Sequence, residues 1–151
     1  MNYELYTDGA VSSDNKTMAG GFFIKTDMQF VKTSAVDFVP MSGSVSSTTA
    51  EVLAIGAAVD YILASIELNP EDKITIFTDC KFARNVLRDN SCDVKNLEAK
   101  EEVLKVRKLL ETLGSRCQWK FKMIPGHAFI GGNSLVDRLA KYAARQSVVK
   151  E

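Results

Sequence analysis

The sequence predicts an α/β fold in which a mixed five-stranded sheet is flanked by helices. Three observations carry that expectation. Alternating and β-branched runs dominate the first 35 positions, strand and helix signals alternate after position 50, and helical crossovers between the later strands oblige them to run parallel to the first. The element string is βββαβααβα, three antiparallel strands followed by parallel ones.

Tyr3 to Thr7 alternates apolar or aromatic with polar residues and meets Asp8-Gly9, a pair that commonly starts a turn, so a first strand is expected to end at Asp8. A polar loop from Ser12 to Thr17 leads to Ala19 to Lys25, rich in phenylalanine and glycine. A break at Thr26-Asp27 then precedes Gln29 to Ser34. These are the second and third strands of a meander.

After polar Ser42 to Thr49, the stretch Ala50 to Ile66 is interrupted only by Glu51, Asp60, Tyr61 and Ser65. A helix apolar nearly all round is predicted, and such a helix is largely buried. Lys73 to Phe77 is a β-branched run between Asn69-Pro70 and Thr78-Asp79, and Lys81 to Arg88 has helical character. From Leu97 to Leu113, Val103, Val106, Leu110 and Leu113 recur at helical spacing among charged residues, with Gly114 as the expected stop. Gln118 to Ile124 is the fifth strand. Pro125 to Gly132 reads as a loop, and Asn133 as the N-cap of a last helix running to about Val148.

The 151 residues, 46% of them hydrophobic, suit one compact domain over 1–151 and are too few for two ordinary ones. No apolar run reaches the roughly 18 to 20 uncharged residues that span a bilayer, and the first residues lack the regions of a signal peptide. A soluble, cytoplasmic protein is expected, with no membrane partner. Cys80, Cys92 and Cys117 are odd in number and widely spaced, which argues against a disulfide framework or a zinc site. Nineteen basic residues balance nineteen acidic ones. With no global field to attract a polyanion, phosphate recognition has to be local.

Four acidic residues carry the chemistry, although each has an ordinary local explanation when taken singly. Asp8 suits a turn, Thr48-x-x-Glu51 matches a capping box, Asp79 suits a helix N-cap, and Asp137 suits the first turn of the last helix, where the dipole favours negative charge. Their conjunction is harder to explain locally. Strands one and four are expected to be parallel neighbours, which places Asp8 and Asp79 together at the carboxyl edge where open α/β sheets bind ligands. Glu51 begins a helix so apolar that its first turn lies near the sheet, and a carboxylate there is costly to desolvate without a partner. Clustered carboxylates repel one another unless a cation neutralises them, and an all-oxygen donor set suits magnesium or manganese.

Tyr6-Thr7-Asp8-Gly9-Ala10, Thr48-Thr49-Ala50-Glu51, Phe77-Thr78-Asp79-Cys80 and Pro125-Gly126-His127, followed by Asn133 and Asp137, form an ordered set. In order, spacing and element this set resembles type 1 ribonuclease H over almost the whole chain. The resemblance implies an RNase H-like fold and assigns Asp8, Glu51, Asp79 and Asp137 as ligands of two divalent cations. It gives His127, the single histidine, a part in proton transfer or product departure beside them. Glu51 would also face a sugar hydroxyl, and Asn133 matches an asparagine of the same segment.

The family often places paired asparagines before the glutamate and glutamines after the third acid; here those places hold Ser47, Thr48, Lys81 and Asn85. All four can hydrogen-bond phosphate or sugar hydroxyls, and with Asn133 they are the candidate nucleic-acid contacts. Asp89 to Asn96 is short and nearly neutral where some relatives carry a basic protrusion. The reading is a metal-dependent endonuclease that hydrolyses the RNA strand of an RNA–DNA hybrid with two ions, magnesium or manganese, acting as a monomer and with no protein partner signalled. The alternatives are a nuclease of the same fold with another nucleic-acid substrate, or a noncatalytic nucleic-acid-binding domain.

Overall fold

A computed structural model of the chain describes residues 1–12, 16–27, 29–38, 45–88 and 100–124. In order these form β1 (Asn2–Val11), β2 (Met18–Thr26), β3 (Phe30–Phe38), α1 (Ser47–Ser65), β4 (Lys73–Thr78), α2 (Lys81–Arg88), α3 (Lys100–Arg116) and β5 (Gln118–Met123). The expected last helix, from Asn133 to about Val148, lies outside the described residues, as do the 89–96 loop, the 125–132 loop and Cys92.

The strands lie in the order β3-β2-β1-β4-β5. β1 pairs antiparallel with β2 and β2 with β3, whereas β1 with β4 and β4 with β5 run parallel. This is the mixed sheet expected from hairpins followed by crossovers.

One face of the sheet carries Leu5, Ile24, Ile74 and Ile76, which form a single core with Val52, Ile55 and Ile62 of α1 and with Val103, Val106, Leu110 and Leu113 of α3. Each fully buried aliphatic side chain of this kind contributes roughly 1.5–3 kcal/mol. α1 packs closely against α3 at Gly56, where an added β-carbon would lie 2.7 Å from Val106 Cγ2. α1 is the one helix among the described residues long and apolar enough to cross a membrane, but more than half of it is buried within the protein, as befits a core helix.

On the opposite face Tyr6 stacks on Phe77 with ring centroids 4.6 Å apart and planes inclined by 6°. The Tyr6 hydroxyl donates to Glu4 Oε1 at 3.1 Å. Burial first, and then the bond to Glu4 and its charge, push that hydroxyl up to about 12. At the far end of the sheet Asp72 ties the β4 entry together: Oδ2 accepts from Asn69 N and Oδ1 from the Met1 amino group, each at 2.9 Å. These bonds, led by the Asn69 amide, hold its carboxyl below the usual range.

Three local expectations give way to tertiary packing. β1 does not end at Asp8: it continues through Asp8 and Gly9 to Val11, because β2 pairs with it along that whole length, Asp8 opposite Gly21 and Gly9 opposite Gly20. Gly9 is a close-approach residue, not a turn residue. Gly114 does not stop α3, which runs on to Arg116; a β-carbon at Gly114 would lie 3.3 Å from Trp119 Nε1, so the glycine makes room for the indole inside a continuous helix. α1 begins at Ser47, ahead of the apolar run, because Ser46 caps it by accepting from Thr49 N.

Candidate metal centre

Parallel pairing of β1 and β4 matches Leu5 with Ile76 and Tyr6 with Phe77, where the ladder ends. Two residues further along each chain stand Asp8 and Asp79. The register therefore delivers both carboxylates to the same point on the carboxyl edge, one from inside a strand and one from the turn that follows its neighbour.

Glu51 arrives from the other direction, in the first turns of α1. The Ser46 hydroxyl accepts from Thr49 N at 3.1 Å and lies 2.8 Å from the Thr49 hydroxyl. The proposed Thr48–Glu51 capping box is thus not the cap in use: Ser46 does that work, and the Glu51 carboxylate is left to turn toward the sheet. Its approach depends on Gly9. A β-carbon there would collide with the Ala50 carbonyl carbon and the Glu51 amide nitrogen, and would come within 2.7 Å of the Ala50 oxygen.

Asp79 is likewise released from the capping duty that its position suggested. The cap of α2 is Cys80, whose Sγ accepts from Ala83 N at 3.4 Å and whose carbonyl accepts from Arg84 N at 3.1 Å. Thr78 braces the same turn, its hydroxyl accepting from Cys80 N at 3.1 Å. Burial is the main cause raising the Cys80 thiol, with the Asp79 and Asp8 charges adding to it against the Ala83 amide.

Asp8, Glu51 and Asp79 converge so that one carboxylate oxygen from each lies within 4.8 Å of the others. Asp8 is 6% and Glu51 8% exposed. Gly9 N donates to Asp8 Oδ1 at 3.0 Å. Glu51 Oε2 is buried with no hydrogen-bond partner among the described residues. Burial first, then the hydrogen bond to Asp8 and its charge, then the charge of Asp79, push the Glu51 carboxyl well above the ordinary range, opposed only by the Gly9 amide. Without a cation, the burial and the neighbouring acids disfavour the Glu51 carboxylate.

A hard divalent cation fits this arrangement. The donors are all carboxylate oxygens, the kind that magnesium and manganese take, and a cation would satisfy the orphaned Glu51 oxygen while removing the mutual repulsion. His127, Asn133 and Asp137, the remaining residues of the expected site, lie outside the described residues. Of the candidate nucleic-acid contacts, Ser47, Lys81 and Asn85 are exposed and Thr48 is half-buried. The Thr48 hydroxyl lies 3.1 Å from that of Ser46.

The RNase H family model matches residues 1–145. The chain belongs to the RNase H family. Several solved RNase H structures share its fold. The RNase H1 of the halophilic archaeon Halobacterium salinarum NRC-1 is 19% identical, with a TM-score of 0.74 and coverage of 97% of this chain and 99% of that one. The N-terminal RNase H domain of Rv2228c from Mycobacterium tuberculosis, solved as a fusion with maltose-binding protein, is 16% identical, with a TM-score of 0.72 and coverage of 99% and 97%. LC11-RNase H1, solved in complex with an RNA/DNA hybrid, is 17% identical, with a TM-score of 0.72 and coverage of 97% and 99%. No curated protein matches the chain by sequence.

Within this RNase H framework, Ser46, Cys80 and the close approach at Gly9 are features that the local sequence pattern did not single out. Ser46-x-x-Thr49 is a usable cap signal two residues upstream of Thr48-x-x-Glu51. A cysteine cap has no comparable signature, and a close backbone approach leaves no local trace beyond the glycine itself.

Proposed function

We propose that the chain is a ribonuclease H that hydrolyses the RNA strand of RNA–DNA hybrids, using two magnesium or manganese ions held by Asp8, Glu51, Asp79 and Asp137. The observation that carries this reading is the convergence of three carboxylates, one with an oxygen buried and unpartnered among the described residues. When bound, the ions supply activation of water and stabilisation of the departing oxygen in an in-line displacement.

The protein's own groups do the rest. Glu51 would act as its carboxylate beside a bound cation, which offsets the burial and the neighbouring charges that disfavour that form, and Gly9 N–H donates to Asp8 Oδ1. Thr78 and Cys80 fix the turn from which Asp79 projects, so its carboxylate meets the others without a reordering cost. His127 is assigned proton transfer or help with product departure. A desolvated Glu51 whose Oε2 has no hydrogen-bond partner among the described residues favours catalysis over a noncatalytic binding role, because such an oxygen is costly unless a cation satisfies it.

The test is cleavage of four matched substrates: hybrid, double-stranded RNA, double-stranded DNA and single strands, each with magnesium or manganese. Selective, metal-dependent cutting of the RNA strand in the hybrid is expected. Cutting of another substrate in preference, or of none, would overturn the reading. A monomeric, cytoplasmic protein of one domain over 1–151 completes the proposal.

A further inference from the structure

Overall charge is balanced, but it is not evenly spread. α1 carries Glu51 and Asp60 with no lysine or arginine, and α3 mixes both signs. α2, with the sequence Lys81-Phe82-Ala83-Arg84-Asn85-Val86-Leu87-Arg88, is the one described helix with cations and no acid.

Its two faces are sharply divided. Ala83, Val86 and Leu87 are buried, whereas Lys81, Asn85 and Arg88 are exposed and Arg84 is half-buried. At 3.6 residues per turn, Lys81, Arg84, Asn85 and Arg88 fall within an arc of about 100°, and the rise from Lys81 to Arg88 is about 10.5 Å. The three cations therefore form one row along the outside of the helix. None of them is ion-paired among the described residues. Arg84 donates from Nη2 to Asn85 Oδ1 at 3.2 Å, while its Nε is buried without a hydrogen-bond partner among the described residues.

The row also has a fixed relation to the carboxylate cluster. α2 starts two residues after Asp79, with Cys80 and Thr78 holding the junction, and Arg107 Nε donates to the Val86 carbonyl near its other end. A helix pinned at both ends presents its outer side chains at a set distance from the acids. Uncompensated cations in a row, at least one of them an arginine with donors to spare, suit phosphate oxygens.

We infer that Lys81, Arg84 and Arg88, with Asn85 between them, form a phosphate-binding ridge that seats the duplex backbone beside the carboxylate cluster. The inference rests on the nuclease reading for its substrate. The ridge supplies locally the grip that a neutral chain lacks globally, and it does so with few contacts. Each phosphate neutralised adds about 0.7 to 0.9 to the slope of log affinity against log salt.

The experiment measures binding of an RNA–DNA hybrid by fluorescence anisotropy across a salt series with calcium held constant. Wild type is compared with Lys81→Gln/Arg84→Gln/Arg88→Gln and with Lys32→Gln/Lys73→Gln/Lys120→Gln. The second triple changes net charge equally but at exposed positions on the strands β3, β4 and β5. The ridge variant is expected to bind more weakly and to lose about 2 to 3 from the salt slope, while the control keeps the wild-type slope. Should the ridge triple fail to fold by circular dichroism, the single variants Lys81→Gln and Arg88→Gln are expected to lose close to one contact each. Equal slopes for wild type and ridge variants, or equal losses in both triples, would overturn the ridge. Wild type that binds hybrid but does not cut it with magnesium or manganese would instead overturn the nuclease reading, and the slope comparison would still decide the ridge.

Discussion

Gly9 lies against Glu51 so closely that no β-carbon fits between β1 and the first turns of α1. That single contact joins the strand bearing Asp8 to the helix bearing Glu51, and it makes the site sensitive to one methyl group. Gly9→Ala is expected to push α1 from the sheet, costing about 1–3 kcal/mol as overpacking does, and to weaken metal binding as well. Urea unfolding, together with magnesium titration followed by calorimetry, checks both. Wild-type stability and metal affinity in this variant would show that the contact does not position the carboxylates.

Neutralising one acid separates ligation from folding. Asp8→Asn or Asp79→Asn is expected to abolish metal-dependent cleavage while the metal-free protein stays as stable as wild type or gains stability, because repulsion within the cluster is relieved. Turnover on hybrid and thermal unfolding in EDTA are the measurements. Wild-type turnover in either folded variant would remove that residue from the proposed site.

The raised Glu51 carboxyl predicts a pH dependence of definite sign. Its folded pKa lies well above the unfolded value of about 4.5, so the folded state binds the extra proton between those two values. The stability that this proton confers is complete below the unfolded value and is lost as pH rises through the folded one. Asp72 has the opposite sign: its folded pKa is depressed, so its contribution is present above the unfolded value and lost as pH falls through the folded one. In EDTA the unfolding temperature should therefore decline as pH rises above about 4.5, and added magnesium should restore more of it at higher pH, with proton release on binding. Glu51→Gln should flatten the decline. A stabilisation by magnesium that is the same at every pH would contradict the assignment.

Cys80 is expected to tolerate serine and not valine. Serine keeps a cap acceptor for the Ala83 amide, whereas valine leaves that amide unsatisfied at a cost of about 0.5–2 kcal/mol. Denaturant unfolding gives the stability difference, and the apparent magnesium constant for cleavage reports whether the Asp79 turn has moved. Equal stability of the serine and valine variants would mean that the thiol is not capping α2.

His127→Ala is expected to retain partial activity, since proton transfer assistance is worth about 100- to 10,000-fold and the carboxylates assemble the reacting centre without it. Single-turnover cleavage rates compare it with Asp79→Asn. A folded, metal-binding His127 variant as inactive as the acid variant would place the histidine at the centre of the chemistry.

Most of this protein's elements were legible in local pattern, because period and composition report which face of a segment must be buried. The Lys81–Arg88 helix was read to the residue, and the apolar run from Ala50 foretold a core helix. Helical crossovers also implied that β1 and β4 run parallel, and hence that Asp8 and Asp79 meet. What the sequence left undecided were choices between equivalent local signals. Asp8-Gly9 is as good a turn as a strand until β2 pairs along it, Gly114 is as good a stop as a packing site until Trp119 lies against it, and Thr48 is as good a cap as Ser46 until Glu51 is drawn toward the sheet. Those choices were made by partners distant in the chain. A local motif states what a residue can do at little cost, whereas burial and close approach between β1 and α1 decide which of those options the folded protein uses.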